Sequence, residues 1–271
     1  MGTPTILLPT AGSNTNSVRR VETALGPQRL AHTSDAGNSR FQIELKGGVL
    51  AVGMTEAPPA NSQRSYVDCY HGIVAQSPNN AQPLLLDTVF LDRDGVVNEK
   101  MPENCYVTAL SQFHLLPGVG EAIGRLNREG IRVIVVSNQR GISLGLYSAA
   151  HVQAIHLGVQ DMLKTHEAHV DDFYFCPHDR HQCDCRKPLS GMFEQAVAQC
   201  PAITAATSVM IGDSDSDIEF GRRLGMRTVF IEVAPNRQSP NAEQARHKAD
   251  LAFPSLIDAV DFLLLHRRKT A

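Results

Sequence analysis

Val89-Phe90-Leu91-Asp92-Arg93-Asp94-Gly95-Val96-Val97-Asn98 is an apolar run that stops at two carboxylates, one residue apart, followed by a glycine. Such a run predicts a buried strand ending in a turn, with Asp92 and Asp94 at the strand's C-terminal edge. In open α/β sheets that edge is where ligands bind. Two carboxylates this close repel each other unless a cation lies between them or one takes a proton, and either arrangement makes a reactive site. A bare D-x-D-G has a second, structural reading, in which the Asp caps a helix and the Gly supplies a positive φ. The surrounding chain decides between the two.

From Leu84 onward, short apolar runs alternate with amphipathic stretches. Strands are predicted at 88–91, 131–136, 172–175, 208–211 and 228–231, all short and rich in β-branched or aromatic residues. Between them Val119, Ile123 and Leu126 share a helical face after Pro117, and Gly130 ends that segment. Ser148 caps a longer helix with Val152, Ile155, Val159 and Met162 at helical spacing, and further helices fit 218–224 and 256–265, the last opened by Ser255 with Asp258 three residues on. Strand-helix alternation implies a parallel sheet covered on both faces. Residues 84–266 therefore read as a doubly wound, Rossmann-like α/β domain, with 267–271 a basic tail.

Residues 1–83 differ in kind, being rich in Ser, Thr, Asn, Pro and Gly. They read as a low-complexity, poorly ordered extension, with a hairpin at 41–53 around Lys46-Gly47-Gly48 and a linker by composition at 77–83. Translation that begins nearer Met54 is an alternative, excluded by finding a native peptide from residues 1–40.

The chain of 271 residues is 42 % hydrophobic and 20 % charged, with a net charge of −3, so neither nucleic acid nor an anionic membrane is indicated as a partner. No stretch approaches the ~18 apolar residues of a membrane span, and no secretory signal is expected. Three of the six cysteines fall between 176 and 185, a clustering that points to metal in a reducing cytoplasm.

Other predicted strand ends carry complementary groups. Ser137-Asn138-Gln139-Arg140 offers a hydroxyl, turn amides and a charge suited to phosphate oxygens, although Ser-Asn is also ordinary turn chemistry. Gly212-Asp213-Ser214-Asp215-Ser216-Asp217 returns acids to the same edge, or starts a helix with acids at its positive end. Acids at two strand ends of one parallel sheet favour Mg²⁺, which is held by few carboxylates plus water and phosphate. Lys187, after Cys185-Arg186, reads alone as a solvated surface charge, but just before a helix and after a metal-type run it can be fixed over the active edge, where it would neutralise a phosphoryl group. Cys176, His178, Cys183 and Cys185 form two C-x-[HC] pairs, the ligand set of a closed structural Zn²⁺ site, with His181 a rival to His178.

In order and spacing, Asp92–Gly95, Ser137, Lys187 and Gly212-Asp213 with Asp217 resemble the four motifs of the haloacid dehalogenase-like phosphohydrolases, over residues 88–265. The resemblance implies that Asp92 is the nucleophile, forming an aspartyl-phosphate, and that Asp94 protonates the leaving group and then activates water. It implies Mg²⁺ between Asp92, the Asp94 backbone carbonyl and Asp213, with Ser137, Asn138, Gln139 and Lys187 on the transferring group. Asp217 would orient Lys187 or a metal-bound water.

The zinc loop running into Cys185-Arg186-Lys187-Pro188 is similar to the subgroup that holds D-glycero-D-manno-heptose 1,7-bisphosphate phosphatases and histidinol-phosphate phosphatases. The first is the substrate most implied, with loss of its 7-phosphate. Ser214 and Leu144 depart from the heptose pattern, which usually has Lys and Arg at those positions, and the short zinc loop is closer to the histidinol-phosphate type. Connections at 99–116 and 140–147 are too short for an inserted cap domain, so the resemblance implies a minimal cap, an open pocket and a sugar-sized phosphate ester, with Arg140 and Arg186 for a second anion. The expected protein is a cytoplasmic, monomeric, Mg²⁺-dependent phosphatase of a small phosphorylated metabolite. A non-catalytic phosphate-binding protein on the same fold is the alternative of another class.

Overall fold

The computed structural model describes the strands between residues 17 and 55, together with residues 84–102 and 105–268. The chain divides into two units, Met1–Ala75 and Gln76–Ala271. The first holds an antiparallel meander of four strands, β1 (Ser17–Thr23), β2 (Gly26–Asp35), β3 (Asn38–Leu45) and β4 (Gly48–Thr55), in that spatial order. The hairpin read at 41–53 falls on the β3 and β4 pair. The two strands before it were not anticipated, because Ser17–Thr23 and Gly26–Asp35 carry no apolar alternation. The linker read at 77–83 lies outside the described residues.

The second unit is one six-stranded parallel sheet in the order β10-β9-β8-β5-β6-β7. Its strands are β5 (Thr88–Leu91), β6 (Arg132–Asn138), β7 (Asp172–Cys176), β8 (Ser208–Gly212), β9 (Arg227–Ile231) and β10 (Leu251–Phe253). The helices are α1 (Val119–Arg128), α2 (Ala149–Lys164), α3 (Gly191–Gln199), α4 (Asp215–Leu224), α5 (Ala242–Lys248) and α6 (Leu256–His266). Alternation along each strand divides the core. Val89, Leu91, Val133, Val135, Val209, Ile211 and Val229 pack with the apolar faces of α1, α2 and α6. Phe90, Ile134, Val136 and Met210 face the other way, onto Met192 and Ala196 of α3 and Phe220 of α4. Each fully buried Leu or Ile contributes about 2 kcal/mol to this two-sided core.

Sequence and structure differ at the periphery. The first helix starts at Val119 behind a Gly118 cap with φ of 78°, so Pro117 precedes the cap and is not the first helical residue. Ser148 and Ser255 do cap their helices, accepting from the backbone N–H of His151 and Asp258. The strand β10 and the helix α5, of three and seven residues, were not anticipated, being too short to show a period. Among the described residues no helix is long and apolar enough to cross a membrane.

Because β5 lies between β8 and β6, the residues that leave those three strands meet at one edge. The register aligns Leu91 with Val135 and with Ile211, and the Asp92 N–H donates to Ile211 O at 2.9 Å. Asp92 and Asp213 are thereby held side by side. Between 99 and 116 the only regular element among the described residues is a 3₁₀ turn at Leu110–Gln112.

Candidate active site

Three carboxylates, from Asp92, Asp213 and Asp217, each place an oxygen within 4.8 Å of the others. All three are buried, and Lys187 reaches between two of them: its Nζ lies 2.6 Å from Asp92 Oδ1 and 2.7 Å from Asp217 Oδ1. The same ammonium donates to Val136 O at 2.6 Å. Burial pushes the Asp92 carboxyl up to about 6, opposed by Lys187 and assisted by Asp217 and Asp94. Burial alone would lower Lys187, but Asp217 and Asp92 raise it above its usual value, so it stays charged.

Lys187 is fixed by Asn138 rather than by chance. The Asn138 side chain accepts from the Lys187 N–H at 3.0 Å and donates to Lys187 O at 3.1 Å. That two-point clasp ties the end of β6 to the segment entering α3.

The Asp213 carboxyl is pushed up to about 7 by burial, with Lys100 opposing and Asp92 and Asp217 assisting. Lys100, on the loop after β5, contacts Asp213 Oδ2 and donates to Ser239 Oγ at 2.6 Å. Asp213 Oδ1 is buried with no hydrogen-bond partner. A buried carboxyl oxygen left without a donor beside other acids is suited to a cation, and hard carboxylate oxygens suit Mg²⁺. Gly95 makes the approach possible: at φ of 108° a Cβ there would lie 2.7 Å from Asp213 Cγ.

The Asp94 carboxylate turns away from this cluster. Arg93 Nη2 donates to its Oδ2 at 2.8 Å and its Oδ1 at 3.0 Å, Asn98 Nδ2 to Oδ1 at 3.0 Å, and Gln139 Nε2 to Oδ2 at 3.2 Å. Burial acts to raise this carboxyl, but the Arg93 charge and these donors together hold it below the usual carboxylate range. Ser137 and Gln139 are buried, whereas Ser214 is partly exposed and donates to Asp217 Oδ2 at 2.5 Å at the start of α4.

Arg140 and Arg186 have different fates. Arg140 forms a forked pair with Asp179, Nε to Oδ1 at 2.6 Å and Nη2 to Oδ2 at 3.2 Å, which joins the loop after β6 to the zinc-type loop. Arg186 retains a buried Nη1 without a partner. Leu144 and Leu146, on the loop that carries Arg140, are exposed.

Cys176, His178, Cys183 and Cys185 also converge. Cys183 Sγ is 3.4 Å from the sulfurs of Cys176 and Cys185, and His178 Nδ1 is 3.3 Å from Cys185 Sγ and 3.7 Å from Cys176 Sγ. A tetrahedral Zn²⁺ with bonds of about 2.3 Å to sulfur and 2.0–2.1 Å to nitrogen has ligand edges close to these lengths. Three thiols and an imidazole fit that ion, and His181 is outside the group.

Residues 184–259 match the family model described as HAD-hydrolase-like. The chain is 33 % identical over 183 residues to D-glycero-beta-D-manno-heptose-1,7-bisphosphate 7-phosphatase of Haemophilus ducreyi, covering 65 % of this chain and 97 % of that one. The chain belongs to the haloacid dehalogenase-like phosphatases. Another such phosphatase, D-glycero-alpha-D-manno-heptose-1,7-bisphosphate 7-phosphatase of Mycobacterium tuberculosis, is 38 % identical over 137 residues, covering 50 % of this chain and 72 % of that one. A solved haloacid dehalogenase-like relative, the D,D-heptose 1,7-bisphosphate phosphatase of B. bronchiseptica complexed with magnesium and phosphate, superposes with a TM-score of 0.58. It is 27 % identical and covers 66 % of this chain and 99 % of that one.

Within this phosphatase family site, Arg93, Lys100, Tyr147 and the clasp by Asn138 were missed in the sequence. Nothing in the sequence sets Lys100 and Arg93 apart from ordinary loop charges. The signal for Tyr147 is weak: an aromatic residue two after Gly145, whose phenol donates to Gln139 Oε1 at 2.8 Å.

Proposed function

We propose that this phosphatase hydrolyses D-glycero-D-manno-heptose 1,7-bisphosphate at the 7-phosphate through an aspartyl-phosphate on Asp92. The observation that carries the reading is the buried Asp92 carboxylate joined to Lys187 at 2.6 Å, beside an Asp213 oxygen that lacks a partner. Asp92 attacks phosphorus in line. Lys187, anchored by Asp217 and by Asn138, keeps the attacking carboxylate ionised and neutralises a phosphoryl oxygen. Asp92, Asp213 and the Asp94 backbone carbonyl would hold magnesium, which would supply the remaining positive charge.

Asp94 moves the protons. Its donors hold it as a carboxylate in the free protein, and an incoming phosphoryl dianion opposes that charge and raises its proton affinity. Having taken a proton from solvent as the substrate binds, it gives that proton to the leaving alkoxide, then takes one from the water that attacks the aspartyl-phosphate. Ser137 and the Asn138 backbone hold the transferring group, and Arg186, with its unpartnered N–H, receives a second anionic group. Cys176, His178, Cys183 and Cys185 would hold zinc, which would brace the loop that carries Arg186 and Lys187, and thiolate ligands of this kind fit a reducing cytoplasm.

The relatives' names include both anomers of the sugar, and the short zinc loop keeps histidinol phosphate as a second substrate to compare. The test measures Mg²⁺-dependent phosphate release from the α and β anomers of heptose 1,7-bisphosphate and from histidinol phosphate. Preference for a heptose anomer supports the assignment, preference for histidinol phosphate replaces the substrate, and no release from any of them returns the chain to phosphate binding without turnover.

A further inference from the structure

Gln139 is nearly sealed from solvent at 2 % exposure and touches three polar groups with one amide. Its Nε2 lies 3.2 Å from Asp94 Oδ2 and 2.6 Å from Ser137 Oγ, and its Oε1 accepts from the Tyr147 phenol at 2.8 Å. The backbone N–H of Gln139 donates to Cys176 O at 2.8 Å, so the main chain is fixed as well.

The orientation of that amide follows from chemistry. An ionised carboxylate accepts hydrogen bonds and donates none, so the nitrogen must face Asp94. The oxygen then faces Tyr147, which must donate. Burial pushes the Tyr147 phenol up to about 12, so its proton is retained at neutral pH. The ring is seated against Gly141, where a Cβ would lie 2.2 Å from Tyr147 Cε1, and packs on Tyr106 at a centroid distance of 5.8 Å. One amide hydrogen points at Asp94 and the other at Ser137.

Ser137 therefore accepts from Gln139, and this is its side-chain hydrogen bond among the described residues. A hydroxyl whose lone pair is filled by a donor has its own proton left to give. We infer that Gln139, oriented by Tyr147, is a positioning residue that aims the Ser137 hydroxyl proton at the transferring phosphoryl group while holding the Asp94 carboxylate for proton transfer. The inference rests on the proposed aspartyl-phosphate reaction. Gln139, read in the sequence as touching phosphate, acts instead from behind Ser137 and Asp94. Removing it withdraws a donor from Asp94 Oδ2 and leaves the Ser137 hydroxyl without the donor that fixes its direction.

The experiment uses the full chain with p-nitrophenyl phosphate as substrate and orthovanadate as the transition-state probe, comparing Gln139→Leu, Ser137→Ala and their combination. Gln139→Leu is expected to lower kcat by about tenfold or more, with KM within about threefold, and to weaken vanadate inhibition by a similar factor. In a double-mutant cycle, the combined variant should fall no more than about threefold below the worse single one, because the two residues act as a unit. A Gln139→Leu protein within about twofold of wild type, or effects that multiply in full, overturns the inference. Should Gln139→Leu fail to fold, Gln139→Glu keeps the shape and replaces a donor with an acceptor; it must lose activity at least as severely, and wild-type kcat there is equally fatal. Asp92→Asn separates the two levels: activity surviving in it removes the reaction scheme, whereas activity lost in it with additive Gln139 and Ser137 effects removes only the role of Gln139.

Discussion

Replacing His156 by Gln should abolish a large part of the protein's loss of stability in acid. His156 lies in α2, stacks on Phe173 at a centroid distance of 4.3 Å and has an Nε2 buried without a hydrogen-bond partner. Burial, aided by the nearby Arg93 charge and opposed by Asp94, pushes its pKa down to about 3. In the unfolded chain the same imidazole titrates near ~6.5. Between those values the unfolded state binds a proton that the folded state refuses, so stability is complete above ~6.5 and falls as pH drops toward 3. The slope is about 1.4 kcal/mol per pH unit, which gives about 2 kcal/mol between pH 7.5 and pH 5.0. Urea unfolding at the two pH values, in wild type and His156→Gln, isolates the contribution of this residue, because every other titrating group is common to both. The variant loses the ring stack and is less stable at pH 7.5, yet its drop on acidification should be smaller by about 2 kcal/mol. Parallel stability curves for the two proteins, or an imidazole signal for residue 156 that titrates near 6.5 in the folded protein, would refute the reasoning.

Asp92→Asn should reduce phosphate release by about 10⁴-fold or more while leaving far-UV circular dichroism unchanged, and substantial residual turnover would remove Asp92 as nucleophile. Cys183→Ser, or a strong zinc chelator, should lower the melting temperature by several degrees or more, and only the chelated wild type should recover, on adding Zn²⁺ but not Mg²⁺; full stability after verified metal loss would contradict a structural role. Arg140→Ala should change KM for a doubly phosphorylated substrate by less than about threefold, because Asp179 already holds that guanidinium, whereas Arg186→Ala should raise it by about tenfold or more. Steady-state kinetics showing the reverse order would reassign the distal anion site.

The sequence revealed those parts whose signal is local. A β-branched run that stops at Asp92, and another that stops at Ser137, announce strand ends without any knowledge of their neighbours, and parallel pairing then brings those ends together. The convergence of Cys176, His178, Cys183 and Cys185 was equally legible, since three thiols and an imidazole within ten residues have few other uses. What escaped depends on direction. Arg93 sits between two conspicuous acids, but nothing in D-R-D tells whether its side chain faces water or turns inward, and it is 1 % exposed. Lys100 reaches Asp213 across 113 positions, and the Asn138 clasp closes only when two loops fold together. His156 did leave a trace: it falls on the apolar face with Val152 and Val159, a polar residue at core spacing. The folded role of Arg140 illustrates the converse, a charge in the expected place that is already engaged by a partner on another loop.

The division between strand ends and loops has an evolutionary consequence. Ser137 lies near the end of β6, and Asp92 and Asp213 directly follow β5 and β8, three adjacent strands whose alternating side chains build the core, so altering these residues should disturb both the proposed chemistry and the fold around them. Arg140, Leu144 and Leu146 ride on one short loop whose ion pair to the neighbouring loop, Arg140 to Asp179, is partly exposed. Such a tether is worth little to the stability of the whole, so that loop can drift under mutation with few penalties. Substitutions at those loop positions should therefore cost the fold less than substitutions at Asp92, Ser137 or Asp213.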